Sequence, residues 1–107
     1  MYWILLYSDL VDDYVLRRAE HRAAHLALAE DSRRRGFLQL GGALEDPVDG
    51  AVLVFKANDK AVIEQFVRDD PYVVNGLVGS WTIRRWNVVV GDQPPAGGFG
   101  QSRSYIG

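Results

Sequence analysis

The chain is 107 residues long, 48% hydrophobic and 24% charged, with a formal net charge of -2. That is the size of one domain with an ordinary globular composition, and its balance gives no electrostatic drive toward nucleic acid or an anionic membrane. Cysteine is absent, which excludes disulfides, thiolate chemistry and cysteine-based zinc sites. No apolar run approaches the ~20 residues needed to span a bilayer. The first residues lack a basic segment, and Asp9 interrupts their apolar run early, so a soluble cytoplasmic protein is expected.

Tyr2 to Tyr7 is a short run of aromatic and β-favouring residues and predicts a buried strand. Asp12 and Asp13 open a long helix. Acidic residues suit its start, Arg33, Arg34 and Arg35 suit its end, and Gly36 supplies the stop. Its expected inward stripe runs through Val15, Ala19, Arg22, Leu26 and Ala29, with His25 on the flank. Phe37 to Leu44 predicts a second strand carrying Gly41-Gly42, read as a bulge or a close backbone approach. A turn over Glu45 to Gly50 folds it back onto a third strand, Ala51 to Phe55.

Asn58 or Asp59 caps a second helix with an apolar face of Val62, Ile63, Phe66 and Val67. Pro71 ends it, because the residue before a proline is driven from the α region; that residue is Asp70. Ser80 to Val90 predicts the last strand. From Gly91 to Gly107 the composition turns to glycine, proline, serine and glutamine, a loose tail by composition. Phe99, Tyr105 and Ile106 within it could dock on the domain or on a partner subunit. The domain proper is expected over 1–90.

The order β-α-β-β-α-β predicts an α+β, ferredoxin-like fold: a four-stranded antiparallel sheet with two helices on one face. The strands are apolar on both faces, so the uncovered face is an interaction surface, and a homodimer is the simplest way to cover it.

Two residues carry candidate chemistry. His25 sits on the first helix. Asp70 sits at the forced stop of the second, beside Asp69 and against the negative end of the helix dipole. Alone, each is ordinary: a boundary histidine, a turn aspartate before proline. Together on one sheet face they form a proton-transfer pair, in which the carboxylate orients the ring, fixes its tautomer and favours its charged form. Arg22, three positions before His25, can touch it. His21 and His25 share a helix face, but Arg22 stands where the helical two-histidine zinc motif carries glutamate, so no metal is expected.

The segments Arg22-Ala23-Ala24-His25-Leu26 and Asp70-Pro71-Tyr72-Val73 with Gly76 resemble the R-x-x-H-L and D-P-Y-V-x-x-G patterns of the YCII-related (YciI-like) family, within the dimeric α+β barrel superfamily. Gly42 fits the glycine usual in that family's second strand. The resemblance covers residues 1–90 and implies a ferredoxin-like homodimer. It also implies a catalytic pair, His25 and Asp70, in a pocket for a small-molecule ligand lined by Arg22, Gly42, Pro71 and Tyr72. One activity related to the family is cofactor-independent dehydrochlorination of a chlorinated hydroxyquinol, and muconolactone isomerases share the superfamily fold. The family often has proline after the second-strand glycine; here Ala43 stands there. The function expected is therefore acid–base chemistry of lyase or isomerase type with no cofactor. The alternative is a ligand-binding or interaction module that keeps the pair for structure.

Overall fold

A computed structural model describes residues 1–91. The strands are β1 (Tyr2–Leu10), β2 (Leu38–Ala43), β3 (Ala51–Lys56) and β4 (Val78–Trp86). They form one antiparallel sheet in the order β2-β3-β1-β4. The helices are α1 (Tyr14–Arg17), α2 (Arg22–Arg34), α3 (Ala61–Asp69) and α4 (Pro71–Val74). The α+β, ferredoxin-like arrangement is the one expected. The tail beyond Gly91, with Phe99, Tyr105 and Ile106, lies outside the described residues. Among the described residues, no helix is long and apolar enough to cross a membrane.

Strand alternation sorts the sheet into two faces. Leu5 and Tyr7 of β1 and Leu53 and Phe55 of β3 point to the helices and are buried. Ile63, Phe66 and Val67 of α3 pack onto them, with the Phe55 and Phe66 rings edge to face at 5.1 Å. Ile4, Leu6, Val52 and Val54 alternate to the other face, which no helix among the described residues covers. Leu40 of β2 sits opposite Val54 there and is 67% exposed.

Two helix boundaries differ from expectation. The first helix is not continuous: α1 gives way to a 3-10 turn at Arg18–Glu20, and the chain restarts as α2 after His21, whose backbone is at φ -110°, ψ 0°. The break lets Tyr14 turn down into the core while Val15 and Leu16 stay exposed. It also resets the helical phase. The inward stripe of α2 is His25, Leu28, Ala29 and Ser32, not the stripe through Val15 and Leu26, and His25 lies on it rather than on its flank.

The second difference is at Pro71. It ends α3 as expected, with Asp70 extended at ψ 118°, but it also starts α4. Proline is pre-organised for the first helical position, where its missing N–H costs nothing. Asp70 is then the N-cap of α4, a favourable place for a carboxylate. The apparent electrostatic oddity of Asp70 is thus relieved by the next helix.

Smaller corrections concern strand ends. Strand β4 stops at Trp86, and Val89 and Val90 are exposed instead of packing inward. The bulge in β2 falls between Leu38 and Leu40, not at Gly41-Gly42. Gly41 is a close approach: a Cβ there would meet Leu53 Cγ at 3.1 Å. The N-cap of α3 is Lys60 rather than Asn58 or Asp59, though Asp59, one residue earlier, accepts from the Ala61 N–H at 2.9 Å.

Candidate functional site

Helix α2, the hairpin β2–β3 and the start of α4 enclose a cavity of about 370 Å³. His25, Leu26 and Ala29 of α2 form one wall, with Arg22 at its beginning. Gly41, Gly42 and Ala43 form the opposite wall, where the missing side chains leave room. Leu38, Val48, Ala51 and Leu53 make the floor apolar.

The polar centre is built on Asp70, which has 0% exposure. Its Oδ2 accepts a hydrogen bond from the Tyr7 hydroxyl at 2.6 Å. Its Oδ1 accepts from the Tyr72 backbone N–H at 3.0 Å and faces His25 Nδ1 at 2.7 Å. Three donors converge on one carboxylate, which suits an ionised, acceptor-only group. The same contact fixes the imidazole: Nδ1 carries a proton, and Nε2 is the position left for exchange. Among the described residues Nε2 makes no hydrogen bond, and the ring lies in the cavity wall with its side chain 15% exposed.

The ring is held from below as well. The Tyr72 ring stacks on His25 with centroids 3.8 Å apart and planes 7° from parallel. Tyr14 meets Tyr72 edge to face at 5.8 Å, and the Arg18 guanidinium lies 5.4 Å over the Tyr14 ring. Burial raises the Tyr7 phenol well above its ordinary range, reinforced by the Asp70 charge and hydrogen bond. Burial also raises Tyr14 and Tyr72, against the opposing pull of Arg18 and Arg22. All three phenols therefore stay protonated at neutral pH, and Tyr7 donates to Asp70.

The structure brings His25, Asp70 and Tyr72 into contact and places Arg22 and Gly42 in the cavity lining. Asp70 stands behind His25 rather than in the wall. Pro71 does not reach the cavity; its part is played through the backbone, by releasing Asp70 from α3. Asp69 is exposed and pairs with Gln65. His21 faces Glu20 at 3.8 Å, and no group of three potential metal ligands gathers among the described residues.

Tyr7, Tyr14, Arg18 and Glu45 are site residues that sequence reasoning passed over. Strand alternation could have found Tyr7, two positions after Leu5 on the inward face. The spacing Tyr14-Arg18-Arg22 could have found the other two on the helical side, four residues apart each. Glu45 carries no such signal, because a turn imposes no period.

Among solved structures the fold is similar to that of 5-chloro-2-hydroxyhydroquinone dehydrochlorinase from Burkholderia phenoliruptrix, solved in complex with 2,5-dihydroxybenzoquinone. The TM-score is 0.68 and the identity 24%, over 81% of this chain and 94% of that one. No curated protein matches the chain. Residues 1–87 match the YCII-related domain. With the sheet order, the His25–Asp70 contact and this match over most of its length, the chain belongs to the YCII-related family.

Proposed function

We propose that this protein is a cofactor-independent acid–base enzyme of lyase or isomerase type, acting on a small oxygenated molecule, aromatic rings included. One observation carries the reading: among the described residues His25 Nε2 makes no hydrogen bond and the ring lies in the wall of a cavity with an apolar floor, while its Nδ1 is fixed by a fully buried carboxylate. The neutral ring takes a proton at Nε2 from the substrate, and Asp70 stabilises the imidazolium that forms. In an isomerisation the proton returns to a neighbouring substrate atom. In an elimination the leaving group departs with its electron pair, and the imidazolium loses its proton to water. Arg22 holds the oxygen on which negative charge develops. The cavity of about 370 Å³ falls at the lower end of ligand pockets, which suits a single ring.

The test is turnover of a panel of small phenols, lactones and halogenated rings. The ligand of the dehydrochlorinase, 2,5-dihydroxybenzoquinone, serves as the first binding probe. Turnover by the wild type should fall about 100-fold or more in His25→Ala, the usual worth of a general base. Turnover indifferent to His25→Ala would remove the base. Binding without turnover across the panel would leave a ligand-binding module.

The same proposal extends to assembly. The apolar face of the sheet, open in one copy, pairs with that of a second copy.

A further inference from the structure

Three charged side chains line the cavity besides His25: Arg18, Arg22 and Glu45. The ion pairs among the described residues involve none of these three; they are Arg17–Asp13, Arg33–Glu30, Arg35–Asp31, His21–Glu20 and His25–Asp70. Among the described residues neither Arg18 nor Arg22 forms an ion pair with a carboxylate. Both nevertheless bear on one place. Arg18 lies over the Tyr14 ring, and both guanidiniums act electrostatically on the phenols of Tyr14 and Tyr72. Tyr72 is the residue stacked on His25. Two cations thus converge beside an imidazole that becomes a third when it takes a proton. Like charges held together favour an anion between them, and Glu45 in the same lining matches one of the two guanidinium charges. Asp70 is buried behind His25 and matches the charge of the imidazolium, so the two guanidiniums are left for another anion.

We propose that the ligand of this cavity carries a carboxylate, gripped between Arg18 and Arg22, with Glu45 turning that end of the molecule toward the arginines. The inference deepens the proposed function and rests on that cavity being the ligand site. A monoanion fits the charge: two guanidiniums and one carboxylate leave the lining one positive charge in excess. A phosphate dianion would overshoot it. The planar fork of arginine matches a carboxylate in bidentate geometry. The apolar remainder of the cavity takes the rest of the molecule, and Nε2 of His25 faces it from the wall.

The experiment follows the His25 ring resonances by NMR during titration with benzoate, and with benzyl alcohol as the neutral ring of similar size. Benzoate should shift them with about tenfold tighter apparent affinity than benzyl alcohol, as for two charge-assisted contacts partly open to solvent. Arg18→Gln and Arg22→Gln should each weaken benzoate by about threefold to fivefold and benzyl alcohol clearly less. Glu45→Gln should tighten benzoate. If Arg18→Gln fails to fold, Arg18→Lys keeps the charge, loses the fork and should weaken benzoate to a smaller extent. Equal response to the two ligands, or indifference to both arginine variants, would overturn the carboxylate and leave the cavity as a ligand site. No shift of His25 with either ligand would overturn the carboxylate and the site reading together.

Discussion

Asp70 serves two ends with one side chain. It caps α4 and it anchors His25, so its removal damages fold and site together. Tyr7 separates the two better. Its hydroxyl touches only Oδ2, on the far side from the imidazole. Tyr7→Phe leaves a buried carboxylate short of one donor, which costs about 1–3 kcal/mol. The same residue sets a pH dependence. Tyr7, Tyr14 and Tyr72 all have phenols raised by burial. The native state therefore keeps protons that the unfolded chain gives up near pH ~10. Their contribution is complete below that pH and is lost as the pH rises through it. The urea midpoint should drop between pH ~8 and pH ~10.5, and the drop should be shallower in Tyr7→Phe. Parallel slopes in the two proteins would exclude Tyr7 as a source.

At the level of elements, Asp70-Pro71 is the junction on which the site depends. Proline confines its predecessor to extended backbone, and that turns Asp70 away from α3 toward β1 and α2. Pro71→Ala lifts the restriction and lets α3 run on into α4. The substitution should cost about 0.4–1 kcal/mol of stability and lower Tm by several degrees, about 2–8 °C. Its effect on the His25 environment should be larger than its effect on the melt. Unchanged His25 resonances in a folded Pro71→Ala protein would mean that packing alone holds Asp70 in place.

This junction also explains what was legible in the sequence. Proline, Asp-Gly and strand alternation are local signals, and they fixed the order of elements, the hairpin and the stop at Asp70. The β4 end and the phase of α2 were not local. The run Val88-Val89-Val90 has strand propensity, but the β1–β4 ladder ends at Trp86. The stripe of α2 was misphased because a 3-10 turn at Arg18–Glu20 carries no marker such as glycine or proline. The His25–Asp70 contact was inferable from fold order and family resemblance, but the three-donor clamp was not, since Tyr7 reaches Asp70 across 63 positions of sequence.

At the scale of the whole molecule, the proposed dimer rests on the sheet face that no helix covers among the described residues. Ile4, Leu6, Leu40, Val52, Val54 and Trp86 share it, and Leu6, Leu40 and Trp86 are well exposed in one copy. Thr82 and Arg84 of β4 lie at the side of this apolar patch, and exposed apolar patches rimmed by polar residues mark interaction sites. Sedimentation should give a dimer at micromolar concentration. Leu6→Glu, at the centre of the face, should shift it to a folded monomer, because a carboxylate buried between two sheets has no partner. A wild-type monomer under the same conditions would end the proposal.

The shared oxygen of Asp70 has one more consequence. Oδ1 accepts from the His25 ring and from the Tyr72 amide at once. A change of charge or position at the imidazole must therefore redistribute the bond to that amide. The Tyr72 N–H is a gauge wired into the backbone: its chemical shift and its exchange with solvent report the state of a histidine 47 residues away in sequence, with no label attached to the ring itself.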